Sequence, residues 1–271
     1  MLGLFFILLV VGLAIFLQLT LRKKEKPVLP VQDKVVEVLQ KKVAYYNRLS
    51  ITEQQRFQNE VSAFLQQVKI TGVGTSVSDE DRILVAASGI IPIFAFRGWK
   101  YPNLNEVLLY PDRFSHDFDF NESNEDRNIL GMVGSGGLNK IMILSKPALY
   151  NGFSNRTDTN NTALHEFVHL LDKADGDVDG LPAWLIDKDN AKPWLHLIHQ
   201  NIQAIKENNS DIDPYGATSE AEFFAVASEY FFENPLLFKE NHPDLYNMLE
   251  KIFKQDPGSN DNRQQAISTK Q

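Results

Sequence analysis

Asn160-Asn-Thr-Ala-Leu-His165-Glu166-Phe-Val-His169-Leu-Leu-Asp172 is the stretch that decides how this chain is read. Its apolar residues Ala163, Leu164, Phe167, Val168, Leu170 and Leu171 predict a buried helix. On a helix, residues i and i+4 lie one turn apart on the same face. His165 and His169 can therefore offer two imidazoles to one zinc ion, at bond lengths of about 2.0–2.1 Å. Glu166 sits beside the metal and need not bind it. It is placed to take a proton from an attacking water and pass it to a leaving amine. Zinc brings the pKa of a bound water to about 7, so hydroxide becomes available at neutral pH.

A catalytic zinc needs a third protein ligand and one open position. No third His follows at short spacing, since His169 is succeeded by Leu-Leu-Asp-Lys-Ala-Asp. The remaining ligand is then expected to be a carboxylate on a later helix. Glu220, Glu222, Glu229 and Glu233 all lie in the apolar run 219–234. Glu222 and Glu229 are seven residues apart and share a face, and spacing alone leaves both open.

The rest of the chain sets the context. It has 271 residues, 43% of them hydrophobic, which suits a globular protein with a proper core. It has no Cys, so disulfides, thiolate zinc sites and thiol catalysis are excluded. A net charge of -8 and a pI near 5.3 argue against direct nucleic-acid binding. Residues 1–21 carry no charged side chain and are followed by Arg22-Lys23-Lys24-Glu25-Lys26. About 20 apolar residues span a bilayer as a helix. The basic cluster follows the apolar stretch, unlike a cleaved signal peptide. We expect an uncleaved single-pass anchor in the bilayer of the inner (cytoplasmic) membrane, with the N-terminus outside and the catalytic domain in the cytoplasm.

Behind the anchor we expect a linker over 22–34, a single α+β domain over 35–257 and a disordered tail over 258–271. Apolar spacing predicts a helix over 34–49. Ser50 and Glu53 form a capping-box pattern that opens a second, to about Val68. Residues 71–75 read as a turn. Ser78 and Asp79 open a third helix to about Ser88. Residues 93–96, 106–110 and 140–144 read as strands. The stretch 115–128 is acidic and reads as an exposed loop. From Asn160 onward the pattern is mostly helical.

Some apparent motifs have plainer readings. Gly134-Ser-Gly-Gly137 lacks the Lys of a phosphate loop and reads as a hairpin turn. The run from Asp175 to Gly180 resembles the start of a calcium loop, but Ile186 stands where a bidentate Glu is required, so it reads as an acidic turn. His196 and His199 share a helix side without further ligands.

His165-Glu-Phe-Val-His-Leu-Leu-Asp172, Asp179-Gly-Leu-Pro182, Asp213-Pro-Tyr-Gly-Ala217 and the segment from Glu222 to Phe232 together resemble the Mlc titration factor A family of zinc peptidases. Val107-Leu-Leu-Tyr-Pro111 and Pro243-Asp-Leu-Tyr246 are similar too, so the resemblance covers about 35–257. The site is also similar to the catalytic domain of anthrax lethal factor, where a Tyr stands seven residues before the ligand Glu. The resemblance implies a zincin-like fold with a mostly helical C-terminal half. It implies one Zn2+ on His165, His169 and Glu222, with Glu166 as base and Tyr215 as phenol donor to the oxyanion. It implies a peptide or protein substrate, and the family name adds a transcription repressor as a partner. The chain departs from the family by its anchor and by Leu130-Gly-Met-Val-Gly-Ser-Gly-Gly137, where a Gly-Glu-Ala-Trp pattern is expected. Asp172 is open to two readings, as an orienting partner of a ligand imidazole or as a helix-end surface residue. Glu229 reads as part of a solvated helix face, with a hydrogen bond inside the cleft as the alternative.

Overall fold

The computed structural model describes residues 29–115, 128–134, 136–154 and 159–259. The expected anchor over 1–21, most of the acidic stretch and all but two residues of the expected tail lie outside these. Among the described residues no helix is long and apolar enough to cross a membrane.

Helices α1 (Gln32–Lys42) and α2 (Ala44–Arg48) replace the single helix expected over 34–49. Val43 turns out of the helix with ψ 97 and enters the core. The first helix starts at Gln32, so the expected linker ends sooner than 34. Helix α3 (Ile51–Gln67) starts on the expected capping box, in which the Ser50 N–H and the Glu53 N–H each meet the other residue's side chain.

Strand β1 (Lys69–Gly72) occupies the start of the segment expected to be a turn. Helix α4 (Asp79–Ile93) runs five residues past the expected end and absorbs the start of the strand expected over 93–96. The cause is burial: Ile83 to Ile93 are covered on every side, so the apolar run loses the helical periodicity by which it would be recognised. β2 (Glu106–Tyr110), β3 (Gly131–Val133) and β4 (Ile141–Ser145) complete one sheet in the order β1-β2-β4-β3. β1, β2 and β4 are parallel; β3 runs antiparallel to β4 and is an edge strand, with Gly131 opposite Leu144. The Gly-rich segment connects this hairpin, as expected, through a 3-10 turn at Gly136–Leu138.

Helices α5 (Lys146–Ser154) and α6 (Thr162–Asp172) follow, the latter holding the His-Glu-x-x-His stretch. α7 (Lys188–Lys206), α8 (Glu220–Glu233), α9 (Pro235–Asn241) and α10 (Pro243–Phe253) make the C-terminal half helical. Gly258 N–H donates to Tyr246 Oη at 2.9 Å, so the folded unit extends at least to 259, past the expected start of the tail. The core lies between the sheet and the helices. Phe223, Phe224, Phe231 and Phe232 of α8 are fully buried in it, beside Phe57, Phe167 and Phe253. α8 is therefore held by aromatic burial, of order 1.5–3 kcal/mol for each ring.

One buried charge ties α4 to α5, the helix that follows the hairpin. Asp81 is fully buried, accepts the Ser78 N–H at 2.7 Å, and pairs with Lys146 Nζ at 2.8 Å and Tyr150 Oη at 2.9 Å. Burial opposes ionisation, but the Lys146, Ser78 and Tyr150 hydrogen bonds together hold the carboxyl below its ordinary value. Asp81→Ala is expected to destabilise the fold by about 2–3 kcal/mol, measured by urea unfolding. A depressed folded pKa stabilises above the ordinary Asp range and is lost as the pH falls through the lowered value. The loss on mutation should therefore shrink at acid pH.

Candidate metal centre

Asn161 starts α6, the helix that carries His165 and His169. Its side chain accepts the Leu164 N–H at 3.0 Å and caps α6, while its own amide donates to Glu233 at 2.7 Å and to the Gly152 carbonyl at 3.2 Å. Ser219 caps α8 in the same way, accepting the Glu222 N–H at 3.1 Å. The two caps fix the starts of the helices that carry the expected ligands. α6 and α8 then pack face to face.

The result brings His165, His169 and Glu222 together. His165 Nε2 lies 3.0 Å from His169 Nε2 and 2.9 Å from Glu222 Oε2; His169 Nε2 lies 3.2 Å from the same oxygen. Among the described residues this is the one His/carboxylate group able to hold a metal ion. Bonds of about 2.0–2.1 Å at tetrahedral angles place ligand atoms about 3.3 Å apart, close to what is seen.

Protonation strengthens the assignment. His165 Nδ1 lies 2.7 Å from Glu229 Oε1. A carboxylate only accepts, so Nδ1 carries the proton and Nε2 turns its lone pair toward the trio. Lone pairs on nitrogen and carboxylate oxygen repel at this distance unless a cation stands among them. Two nitrogens and one oxygen are a donor set that zinc accepts, so the residues fit the ion. With protons as the only cations, burial disfavours a charged His165, but hydrogen bonds with Glu222 and Glu229 outweigh it and lift the imidazole to about 10. Burial likewise opposes ionisation of Glu222, and the contacts with His165 and His169 overcome it and drive that carboxyl well below its usual range.

Glu166 is buried, and burial raises its carboxyl above the ordinary value against the lowering charges of His165 and His169. Gly131 of β3 lies against it. A Cβ at Gly131 would stand 2.7 Å from Glu166 Cγ and 2.8 Å from Oε1, so the strand approaches this close only without a side chain. Tyr215 stands on a 3-10 turn, Pro214–Ala217, whose first residues are tied by Asp213 accepting the Tyr215 N–H at 2.8 Å. Its ring centroid is 6.0 Å from that of His165, and 54% of the residue is exposed. Burial first, then the Glu222 and Glu166 charges, raise its phenol above the ordinary value.

Glu229 corrects its solvated-face reading: it is buried, and Oε2 accepts the Asn161 N–H while Oε1 holds His165. The seven-residue spacing from Glu222 put it on the same helix face but did not tell the two carboxylates apart. Asp172 is fully buried, not a surface residue, and Oδ2 accepts the Gly180 N–H at 2.9 Å. Burial raises its carboxyl to about 6, with Gly180 and His169 pulling the other way. The Asp175 and Asp179 carboxylates accept backbone N–H groups of their own turn, as an acidic turn should. His196 and His199 are exposed and outside the trio, and His199 Nε2 lies 3.4 Å from Glu220 Oε1.

The family model for glucose-regulated metallo-peptidase M90 matches residues 18–254. An uncharacterized protein of Synechocystis sp. is 30% identical over 229 residues, 81% of this chain and 83% of the relative. Mlc titration factor A of Klebsiella pneumoniae is 29% identical over 226 residues, 77% of this chain and 82% of the relative. Mlc titration factor A of Salmonella arizonae is 30% identical, over 77% of this chain and 86% of the relative.

Glu229→Gln removes the acceptor charge behind His165 while keeping its size. It is expected to weaken zinc binding about 10–100-fold with the fold intact, read by competition with a chelator and by circular dichroism.

Proposed function

Because this chain belongs to the glucose-regulated metallo-peptidase M90 family, we propose that it is a zinc-dependent peptidase anchored to the inner membrane. One observation carries the reading: His165, His169 and Glu222 converge donor atoms at one point, with the Glu166 carboxyl buried beside them. When bound there, zinc supplies Lewis acidity to a water and to the scissile carbonyl oxygen.

The chain's own residues do the rest. Glu229 holds the His165 ring so that Nε2 faces the centre. Glu166, with its raised affinity for protons, accepts one from the attacking water as the water oxygen bonds to the carbonyl carbon. It then gives that proton to the amide nitrogen as the C–N bond breaks. Tyr215, half in solvent, donates its hydroxyl to the carbonyl oxygen as charge builds there. β3, an edge strand passing over Glu166, offers backbone groups along which an extended peptide can lie.

A second reading has support from the name Mlc titration factor A carried by the relatives. In it the chain captures a transcription repressor at the membrane, with hydrolysis secondary or absent. One variant separates the two. Glu166→Gln in the full chain should keep zinc and fold and lower peptide hydrolysis about 10²-fold or more. Turnover equal to wild type would reject the base assignment. A wild type without hydrolysis, together with repressor capture that survives Glu166→Gln, would favour the second reading.

The anchor rests on the uncharged run 1–21 and the basic cluster after it. A reporter fused after Gln271 is expected to be active in the cytoplasm; activity outside the membrane would reverse the topology.

A further inference from the structure

Two polar atoms on α6 are sealed from solvent and have no hydrogen-bond partner: His169 Nδ1 and Asp172 Oδ1. They belong to residues three apart on one helix, which lie on the same face. His169 Nε2 is one of the three converging donors, so its Nδ1 carries the proton and is a donor. Asp172 Oδ1 is an acceptor. Buried polar groups are nearly always satisfied, and here a donor and an acceptor are left over together.

The second oxygen of the same carboxylate reaches elsewhere. Asp172 Oδ2 accepts the Gly180 N–H at 2.9 Å, and Gly180 O accepts the Trp194 indole N–H at 2.7 Å. Gly180 has φ 74, and a Cβ there would fall 2.4 Å from the Glu220 carbonyl oxygen. Gly180 is thus packed on the first turn of α8, two residues before Glu222.

We propose that Asp172 is a positioning residue that links two metal ligands. Oδ1 takes the Nδ1–H of His169, directly after a small rotation or through one water, and so fixes that ring. Oδ2, through Gly180, fixes the start of α8 and with it Glu222. One carboxylate thereby sets the separation of His169 from Glu222, as Glu229 sets His165. The inference rests on reading the three donors as a zinc centre.

The test uses the full chain labelled with 15N-histidine, together with Asp172→Ala and Asp172→Asn. In the wild type the His169 Nδ1–H should be deshielded and protected from exchange. Asp172→Ala should abolish that signal and weaken zinc binding about 10–100-fold; Asp172→Asn, which keeps a neutral acceptor, should lie between. Unchanged zinc affinity in Asp172→Ala overturns the proposal. Weakened affinity with an unchanged Nδ1–H signal also overturns it, because Asp172 then acts on the turn alone. If Asp172→Ala does not fold, the wild-type spectrum decides: a freely exchanging Nδ1–H rejects the link. A wild type that binds no zinc overturns the metal-centre reading itself and this inference with it, whereas zinc binding that is insensitive to Asp172 overturns only the inference.

Discussion

The constraint on which the structure turns is the crowding of three half-buried electron-pair donors within about 3 Å of one another. Such a cluster is unfavourable by itself, since burial strips water from a carboxylate and two imidazoles that repel. Only a cation among them makes the arrangement favourable. The surrounding protein must therefore hold the donors in place before the ion arrives, and much of the architecture serves that end. Caps at Asn161 and Ser219 set where α6 and α8 begin. The aromatic face of α8 presses Glu222 and Glu229 toward α6. Glu229 spans both jobs, because one oxygen binds the first residue before α6 and the other orients the first imidazole.

The sheet contributes differently. It supplies none of the three converging donors, yet its edge strand comes so near Glu166 that a methyl group would collide with it. Glu166 is thus confined between a helix and a strand, and burial raises its carboxyl above the ordinary value. The site is a seam between the two structural classes of the domain, the α6–α8 pair on one side and the β3–β4 hairpin on the other.

Much of this could be read in the residues. The 165–169 spacing announced the centre because helical geometry translates directly into ligand geometry. The capping box at Ser50 and the strand over 106–110 were legible because their signals are local. Strand β1 was hidden behind Gly72 and Gly74, whose turn chemistry masked four residues of pairing with β2. The end of α4 was hidden because a helix buried all round shows no apolar stripe. The part of Glu229 could not be assigned from spacing, because two acidic residues on one face look alike until a neighbouring helix tells them apart. Choosing Glu222 as the ligand came from the resemblance. Gly131 was silent because its meaning lies in what a side chain would strike.

The separation of the ligands along the chain has a consequence for how the protein is made. Glu222 follows His169 by 53 residues, and α7 lies between them. A ribosome emits the two imidazoles together and the carboxylate only later. A nascent chain ending at Asp172 offers an ion two ligands on a helix not yet roofed by α8, which is a weak grip. Secure capture waits until the aromatic face of α8 has docked. The tertiary fold must therefore be in place before all three donors can grip an ion together, and an incompletely synthesised chain offers only two of them.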